Sequence, residues 1–480
     1  MNFETLRSPI AFLNEMLPKI PDQAALREYE VWWEREGRAI SAATDRARTP
    51  WLRMFDLRGR RVDDIAYAPE YWHMLKQGYR AGVLWRSFAD QSLLPAYLYI
   101  YVTGYYDPGL ACPYTVSLST AAPVAKYADD ALKSRFLSQM LRRDDTVWQG
   151  ATWMTEIKGG SDLGANVETI ARKNGSRWLL TGDKYFASNA GAELAVVAAR
   201  PEGGPRDVRG LALFLVPRLR ENGELNYTIR RLKDKIATRS VPTGEVELRD
   251  SEGWMLGTAD RGIYLILEVL NISRIANSVG SVALAQRALG DVLQFAQQRV
   301  AFGRPVIEQP LFARQFRQRF CDLRCAFALA WYAVQLLDSV WQEKPPYSER
   351  YHLFRLVAHL AKYWTAEFAV QTAKWAMEAH GGLGTLEEFG VERWLREAMI
   401  LAIWEGTSHR QILDGLEVMD RKHAHHLLLA DLAKRAPSAN TQEMKSRIEE
   451  LLALNDDDKQ ARAEEVFRDL AQLTAEALLT

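Results

Sequence analysis

The texture of the chain changes twice, and those two changes limit the folds open to it. Up to about residue 147, apolar residues recur at three- and four-residue spacing, as in "AYAPEYWHMLKQGYRAGVLWRSF" and "AAPVAKYADDALKSRFLSQML". That is the period of a helix with one buried face. From 148 to about 256 the segments shorten to strand length: "RWLLTGDKYFASNA", "LAVVAARP", "GLALFLVPR", "NYTIRRLKDK" and "TGEVELRDS". Turn formers part them, at Asn174-Gly175, Gly203-Gly204-Pro205 and Asn222-Gly223. After Gly257 long amphipathic helical patterns return, among them "LFARQFRQRFCDLRCAFALAWYAVQLLDSVW" and "RLVAHLAKYWTAEFAVQTAKWAMEAH". The pattern predicts an α+β chain with an N-terminal helical domain (1–147), a middle antiparallel β domain (148–256), a C-terminal helical bundle (257–423) and a helical extension (424–480). Strands and helices segregate instead of alternating, which argues against a doubly wound parallel sheet.

Composition narrows the function classes. At 480 residues, 48% of them hydrophobic, the chain can bury a large core. Its 61 basic and 61 acidic residues balance, so no global charge calls for nucleic acid, membrane or acidic ligands. Three cysteines are too few, and odd in number, for a disulfide framework, which points to a reducing cytoplasm. Cys321 and Cys325 share a helix face and read as core thiols, with no His or Cys near them in sequence to complete a metal site. The start "MNFETLRSPIAF" lacks the basic and apolar regions of a signal peptide. The longest apolar stretch, 325–334, is shorter than the roughly 20 residues that span a bilayer. No metal and no membrane partner are expected. Fifteen tryptophans suit either a large helical core or aromatic packing around a flat cofactor or an acyl chain.

Five stretches carry candidate chemistry. "MTEIKGGSDLG" (154–164) offers a tight glycine loop with hydroxyls that can cradle a phosphate, or simply a turn. "GDKYFASNAG" (182–191) ends a strand with aromatic and small polar residues, either core or a wall for a planar ring. "RVAFGRP" (299–305) places Arg299 three residues before Phe302. It suits a phosphate and a stacked base, or a helix end capped by Gly303 and stopped by Pro305. "EAHGGLGT" (378–385) lacks the preceding strand and spacing of a dinucleotide fingerprint. It suits close backbone approach to a ligand or a helix–helix turn. "LAIWEGTSHRQ" (401–411) sets one acid, Glu405, at the end of an apolar run. Desolvation there raises a carboxyl toward the range useful to a general base. The plainer alternative is an acid at a helix N-terminus.

In this order the five stretches resemble the acyl-CoA dehydrogenase family of flavoproteins, from about residue 55 to about 420. They are most like its alkylation-response (AidB) branch, whose wording is similar to "LRMFDLRGRRVDDIAYAPEYWHML", "ACPYTVSLSTAAP", "RLKDKIATRS" and "IWEGTS". The resemblance implies one FAD per subunit. Met154, Thr155, Gly160 and Ser161 would hold the flavin ring and pyrophosphate, and Phe186 and Ser188 would pack against the ring near N5. Phe186 stands where most members carry Trp. Arg299, Phe302, Gly381 and Gly382 would reach a neighbouring subunit's cofactor, which implies a homotetramer built as a dimer of dimers. Trp404, Gly406, Thr407 and His409 would complete the flavin's surroundings, His409 standing where the branch uses Asn. Glu405 matches the catalytic base, which takes the α-proton of an acyl-CoA while a β-hydride passes to the flavin. Arg274 matches a family arginine near the substrate, with packing or a salt bridge as its alternative role. The chain departs from the family's "TEPGAGSD" with "TEIKGGSD", and Gln309 sits one place earlier than the family's glutamine.

The resemblance leaves the electron acceptor and the acyl chain length open. It admits two other readings: a DNA-associated flavoprotein with little turnover, and a protein that sequesters long-chain acyl-CoA. Flavin-dependent oxygenation of a small nitrogen compound is a further, remoter one. Residues 421–480 carry nine basic and eleven acidic residues, a net of −2. Phosphate contacts dominate DNA affinity, so DNA is not expected as a partner; "RKHAHH" (421–426) leaves room for a local basic face.

Overall fold

The computed structural model describes residues 2–479; Met1 and Thr480, the end points of the first and last expected domains, lie outside the described residues. The chain forms two compact units. A β unit comprises Trp32–Tyr99 and Gly109–Ser273. A helical unit takes in the chain up to Val31, Ile100–Pro108 and everything from Arg274 onward.

The stretch expected to be wholly helical contains a two-stranded antiparallel hairpin, β1 (Trp51–Phe55) and β2 (Arg61–Ala66). Asp56 closes its turn by accepting from the backbone N–H groups of Arg58 and Arg60. The expected loop at 104–113 is only a short turn, because one helix runs through Tyr106 and the next starts at Ala111.

The main sheet is built from β3 (Gly150–Trp153), β4 (Ile170–Asn174), β5 (Arg177–Ser188), β6 (Leu194–Pro201), β7 (Ala212–Pro217), β8 (Thr228–Leu232) and β9 (Thr243–Leu256). Its main path runs β3-β6-β4-β5-β9-β7, with β8 on β9 and β6 also on β7. The sheet is not purely antiparallel as expected: β6 pairs parallel with both β3 and β4. Turn residues reveal local hairpins but not a strand's distant partners. The signal lay in β6 itself, buried along nearly its whole length as an unbroken "LAVVAAR" run. Central strands covered on both faces lose the apolar–polar alternation.

In the helical unit, Glu349–Ala379 is the central helix. It packs on Pro310–Val340, Val391–Ile403, Ser408–Lys422, Ala424–Arg435 and Asp456–Ala477. Pro310–Val340 is long and apolar enough to cross a membrane by length and composition, but 67% of its most apolar window is buried in the fold. The extension's helix stops at Leu452, and the acidic "NDDDK" opens the next one at Asp456. Asn455 caps the next helix by accepting from the Asp458 N–H, and Asp456, Asp457 and Asp458 fill its first turn, where the helix dipole favours negative charge. That helix seats Phe467 against Tyr363, with ring centroids 5.6 Å apart.

Candidate active site

Glu405 lies in the turn between Val391–Ile403 and Ser408–Lys422, not at a helix N-terminus. Its φ is 59°, and Gly406 follows at 100°. A non-glycine residue in this left-handed region costs about 1–3 kcal/mol unless its surroundings fix it, and such strain concentrates at functional sites. Here the surroundings do fix it. The Glu405 carbonyl accepts from Arg274 Nε at 3.1 Å and Gln411 Nε2 at 2.9 Å. The Gly406 carbonyl accepts from Gln411 Nε2 at 3.0 Å and Lys362 Nζ at 2.7 Å, and Lys362 also reaches the Ala402 carbonyl at 3.0 Å. A Cβ on residue 406 would come within 2.6 Å of Gln411 Nε2, so this close approach needs glycine.

The charges around the turn are buried or half-buried. Arg274 pairs with Asp414 at 3.3 Å, Arg410 bonds the same carboxylate, and His359 Nδ1 meets Gln411 Oε1 at 2.9 Å. Glu405 shows some exposed surface, yet its carboxyl is enclosed. Burial pushes it up to about 7, against the pull of Arg274 and Lys362. Burial also brings the Lys362 ammonium down to about 7 and His359 to about 3. A carboxyl near neutrality is half ionised where a base must work.

Arg274 therefore grips the backbone of Glu405 and the Asp414 carboxylate. Trp404 and Gly406 are half-buried, while Thr407 and His409 are exposed at the start of the following helix. Gly381 and Gly382 are exposed in a turn, and a Cβ on either would meet nothing within 4 Å. Arg299 and Phe302 belong to a hairpin, not to a helix end capped by Gly303. The helix stops at Gln298, β10 (Val300–Ala301) pairs with β11 (Arg304–Pro305), and Phe302 and Gly303 form the turn with φ of 51° and 83°. Two left-handed residues suit a tight hairpin whose twist matches its strands. Gln309 holds that hairpin, donating to the Ala301 carbonyl at 2.8 Å. Phe302 at the tip is 99% exposed. Phe295, one turn before Arg299, stacks on His380 at 4.4 Å, bringing the Arg299 and Gly381 segments near each other.

The other candidates lie in the β unit. Met154 is buried, Thr155 and Ser188 are half-buried, and Gly160, Ser161 and Phe186 are exposed. The Thr155 carbonyl accepts from the Tyr185 N–H at 3.0 Å, which sets the loop beside the end of β5. Beneath it, fully buried Lys184 donates to Glu156 at 2.6 Å and to the Ala198 carbonyl at 2.7 Å. Glu156 also accepts from Thr169 Oγ1 at 2.6 Å and from the Glu168 N–H at 2.7 Å. Burial alone would raise this carboxyl, but Lys184 and the hydrogen bonds hold it below its ordinary value. The result is a braced loop carrying hydroxyls beside an open aromatic side chain, which fits the phosphates and flat ring of a flavin.

The sequence reading missed Lys362, His359, Gln411, Asp414, Lys184 and Glu156 as parts of these arrangements. One signal was available: His359 and Lys362 interrupt the apolar face of "RLVAHLAKYW", where a helix buried all round tolerates no unpaired charge.

Comparison with known proteins agrees with this architecture. Residues 13–145 match the N-terminal domain of the adaptive response protein AidB, 151–251 the acyl-CoA dehydrogenase middle domain and 260–419 its C-terminal domain. The chain is 30% identical to the putative acyl-CoA dehydrogenase AidB of Escherichia coli (strain K12), over 80% of this chain and 71% of that one. It is 31% identical to acyl-CoA dehydrogenase family member 11 of Caenorhabditis elegans, over 79% of this chain and 64% of that one. Among solved structures, the apo form of Bd2924 superposes with a TM-score of 0.87 at 28% identity, covering 99% of this chain and 96% of that one. Caenorhabditis elegans ACDH-11 in complex with C11-CoA has a TM-score of 0.83 at 24% identity, covering 98% and 85%, and shows the shared fold. Matches to all three of these domains, in order, together with the AidB relative, establish that this chain belongs to the acyl-CoA dehydrogenase family.

Proposed function

We propose that the chain is an FAD-dependent acyl-CoA dehydrogenase in which Glu405 is the catalytic base. Members of the family use FAD. The observation that carries the reading is the Glu405 carboxyl, brought to about 7 by burial and fixed in a left-handed turn by three side chains.

Glu405 takes a proton from the carbon next to the thioester carbonyl, and its near-neutral proton affinity matches that task. FAD, when bound, supplies the acceptor for the hydride that leaves the β-carbon, so the acyl chain gains a double bond. Thr155, Ser161, Phe186 and Ser188 would hold the flavin over the braced loop, with Met154 and Gly160 forming its backbone. Trp404, Gly406, Thr407 and His409 border the base. Arg299, Phe302, Gly381 and Gly382 are assigned to the cofactor of a neighbouring subunit in a homotetramer. The exposed Phe302 tip and the open glycine turn support that assignment.

The test is spectroscopic. The purified protein should show a flavin spectrum that bleaches on anaerobic titration with acyl-CoAs of at least one chain length. A protein that binds acyl-CoA without bleaching is a sequestering protein instead.

A further inference from the structure

We propose that Lys362 is the positioning residue for Glu405, clamping the carbonyls of Ala402 and Gly406 around the acid and serving as counter-charge to its carboxylate. The proposal rests on Glu405 acting as the base.

The geometry singles Lys362 out. Its Nζ is inside the helical unit, 3.0 Å from the Ala402 carbonyl and 2.7 Å from the Gly406 carbonyl. The first is the next-to-last residue of one helix and the second lies one residue past Glu405. A single ammonium thus ties the end of Val391–Ile403 to the left-handed turn. An ordinary structural lysine would send its charge to water along its flexible stem. This one is fully buried, and among the described residues it donates to backbone carbonyls and not to a carboxylate. Backbone carbonyls lower the desolvation penalty without neutralising the charge, which leaves its field acting on Glu405.

The surrounding charges fit this division of labour. Arg274, from Gly262–Gln298, and Lys362 both favour the ionised form of Glu405. Arg274 is itself engaged by Asp414, with Arg410 on the same helix and Arg355 on the helix of Lys362. Lys362 feels Glu405, Arg274 and Glu367, and Glu367 is bonded by Ser408. His359, one turn before Lys362, is kept neutral by burial and holds Gln411, the second donor to the turn. Arg274 exerts the larger pull on Glu405 but also pairs with Asp414, whereas Lys362 hydrogen-bonds no acid among the described residues and has Glu405 as its strongest charged neighbour.

The test follows protonation directly and does not need turnover. Infrared difference spectra across pH report the protonated carboxyl of Glu405, identified by the band that Glu405→Gln removes. Lys362→Gln keeps a donor for the two carbonyls but removes the charge. It should raise the Glu405 midpoint by about one pH unit or more, the size of shift an adjacent opposite charge supports. Lys362→Met should raise it similarly and also loosen the turn. An unmoved midpoint in folded Lys362→Gln overturns the proposal. If neither variant folds, the reciprocal measurement remains. With carbon-13-labelled lysine, the Lys362 midpoint must fall in Glu405→Gln, and an unchanged midpoint again overturns the proposal. Both readouts stand even where no acyl-CoA bleaches the flavin, so failure of the dehydrogenase reading is separately visible.

Discussion

Arg274 Nε donates to the carbonyl oxygen of Glu405 at 3.1 Å while its Nη2 pairs with Asp414 at 3.3 Å. One guanidinium, nearly all of it buried, thereby links the long helix Gly262–Gln298 to the turn that carries the acid and to the helix after it. Replacing it by glutamine leaves Arg410 as the one ion-pair partner of Asp414 among the described residues. We expect Arg274→Gln to lower unfolding free energy by roughly 3 kcal/mol, at the low end for a broken buried pair. The loss should appear as a lower denaturation midpoint with an unchanged slope.

The titration of Glu405 has a definite sign. Its carboxyl moves from 4.5 up to about 7 on folding, so the folded state binds the proton more tightly than the unfolded chain. Its contribution to stability is complete below pH 4.5 and is lost as pH rises through about 7. Glu405→Gln removes that dependence. The variant should therefore gain stability relative to the parent as pH climbs through this window, measured by denaturant unfolding at fixed salt. The same ionisation predicts that flavin reduction by acyl-CoA rises with pH, with a midpoint near 7.

The Lys184–Glu156 pair predicts a different outcome in the β unit. Lys184→Met leaves Glu156 buried without its cation, an effect worth roughly 3–5 kcal/mol. It should also lower flavin content after purification, because Glu156 and Thr155 anchor the same loop. Adding Glu156→Leu should restore most of the stability without restoring the flavin. Recovery of both would show that the pair has no part in shaping the loop.

The helical extension is a structural part of the bundle. A Cβ on Gly415 would lie 2.3 Å from Phe467 Cε2, so the helix Asp456–Ala477 seats an aromatic ring directly on the helix that carries Gln411. Gly415→Ala should cost about 1–3 kcal/mol by overpacking. Part of that should return when Phe467→Leu is added, and thermal unfolding of the single and double variants checks it.

The outline of this protein was legible in its sequence for a physical reason. Periods of two and of three to four residues are set by single elements, so the helix–strand–helix order could be read locally. The hairpin at Trp51–Ala66 was harder, because its strands are only half-buried and its turn is read through Asp56. The parallel pairing of β6 depends on partners far along the chain. At the site, "WEGT" marked Glu405 because one acid closed an apolar run. Lys362 and Gln411 were hidden, since each belongs to a different helix and only the fold brings them to the same carbonyl. Arg274 was legible as a residue of the site, but its grip on a backbone oxygen lies 131 positions away along the chain.

The most direct test of the account is anaerobic mixing of the flavin-loaded protein with a panel of acyl-CoAs, comparing the parent chain with Glu405→Gln. We predict that at least one chain length bleaches the parent and that Glu405→Gln slows the bleaching by about 10²–10⁴-fold, the usual contribution of a positioned base. Equal rates in the two proteins, or no bleaching by any chain length, would contradict Glu405 as the base of a dehydrogenase.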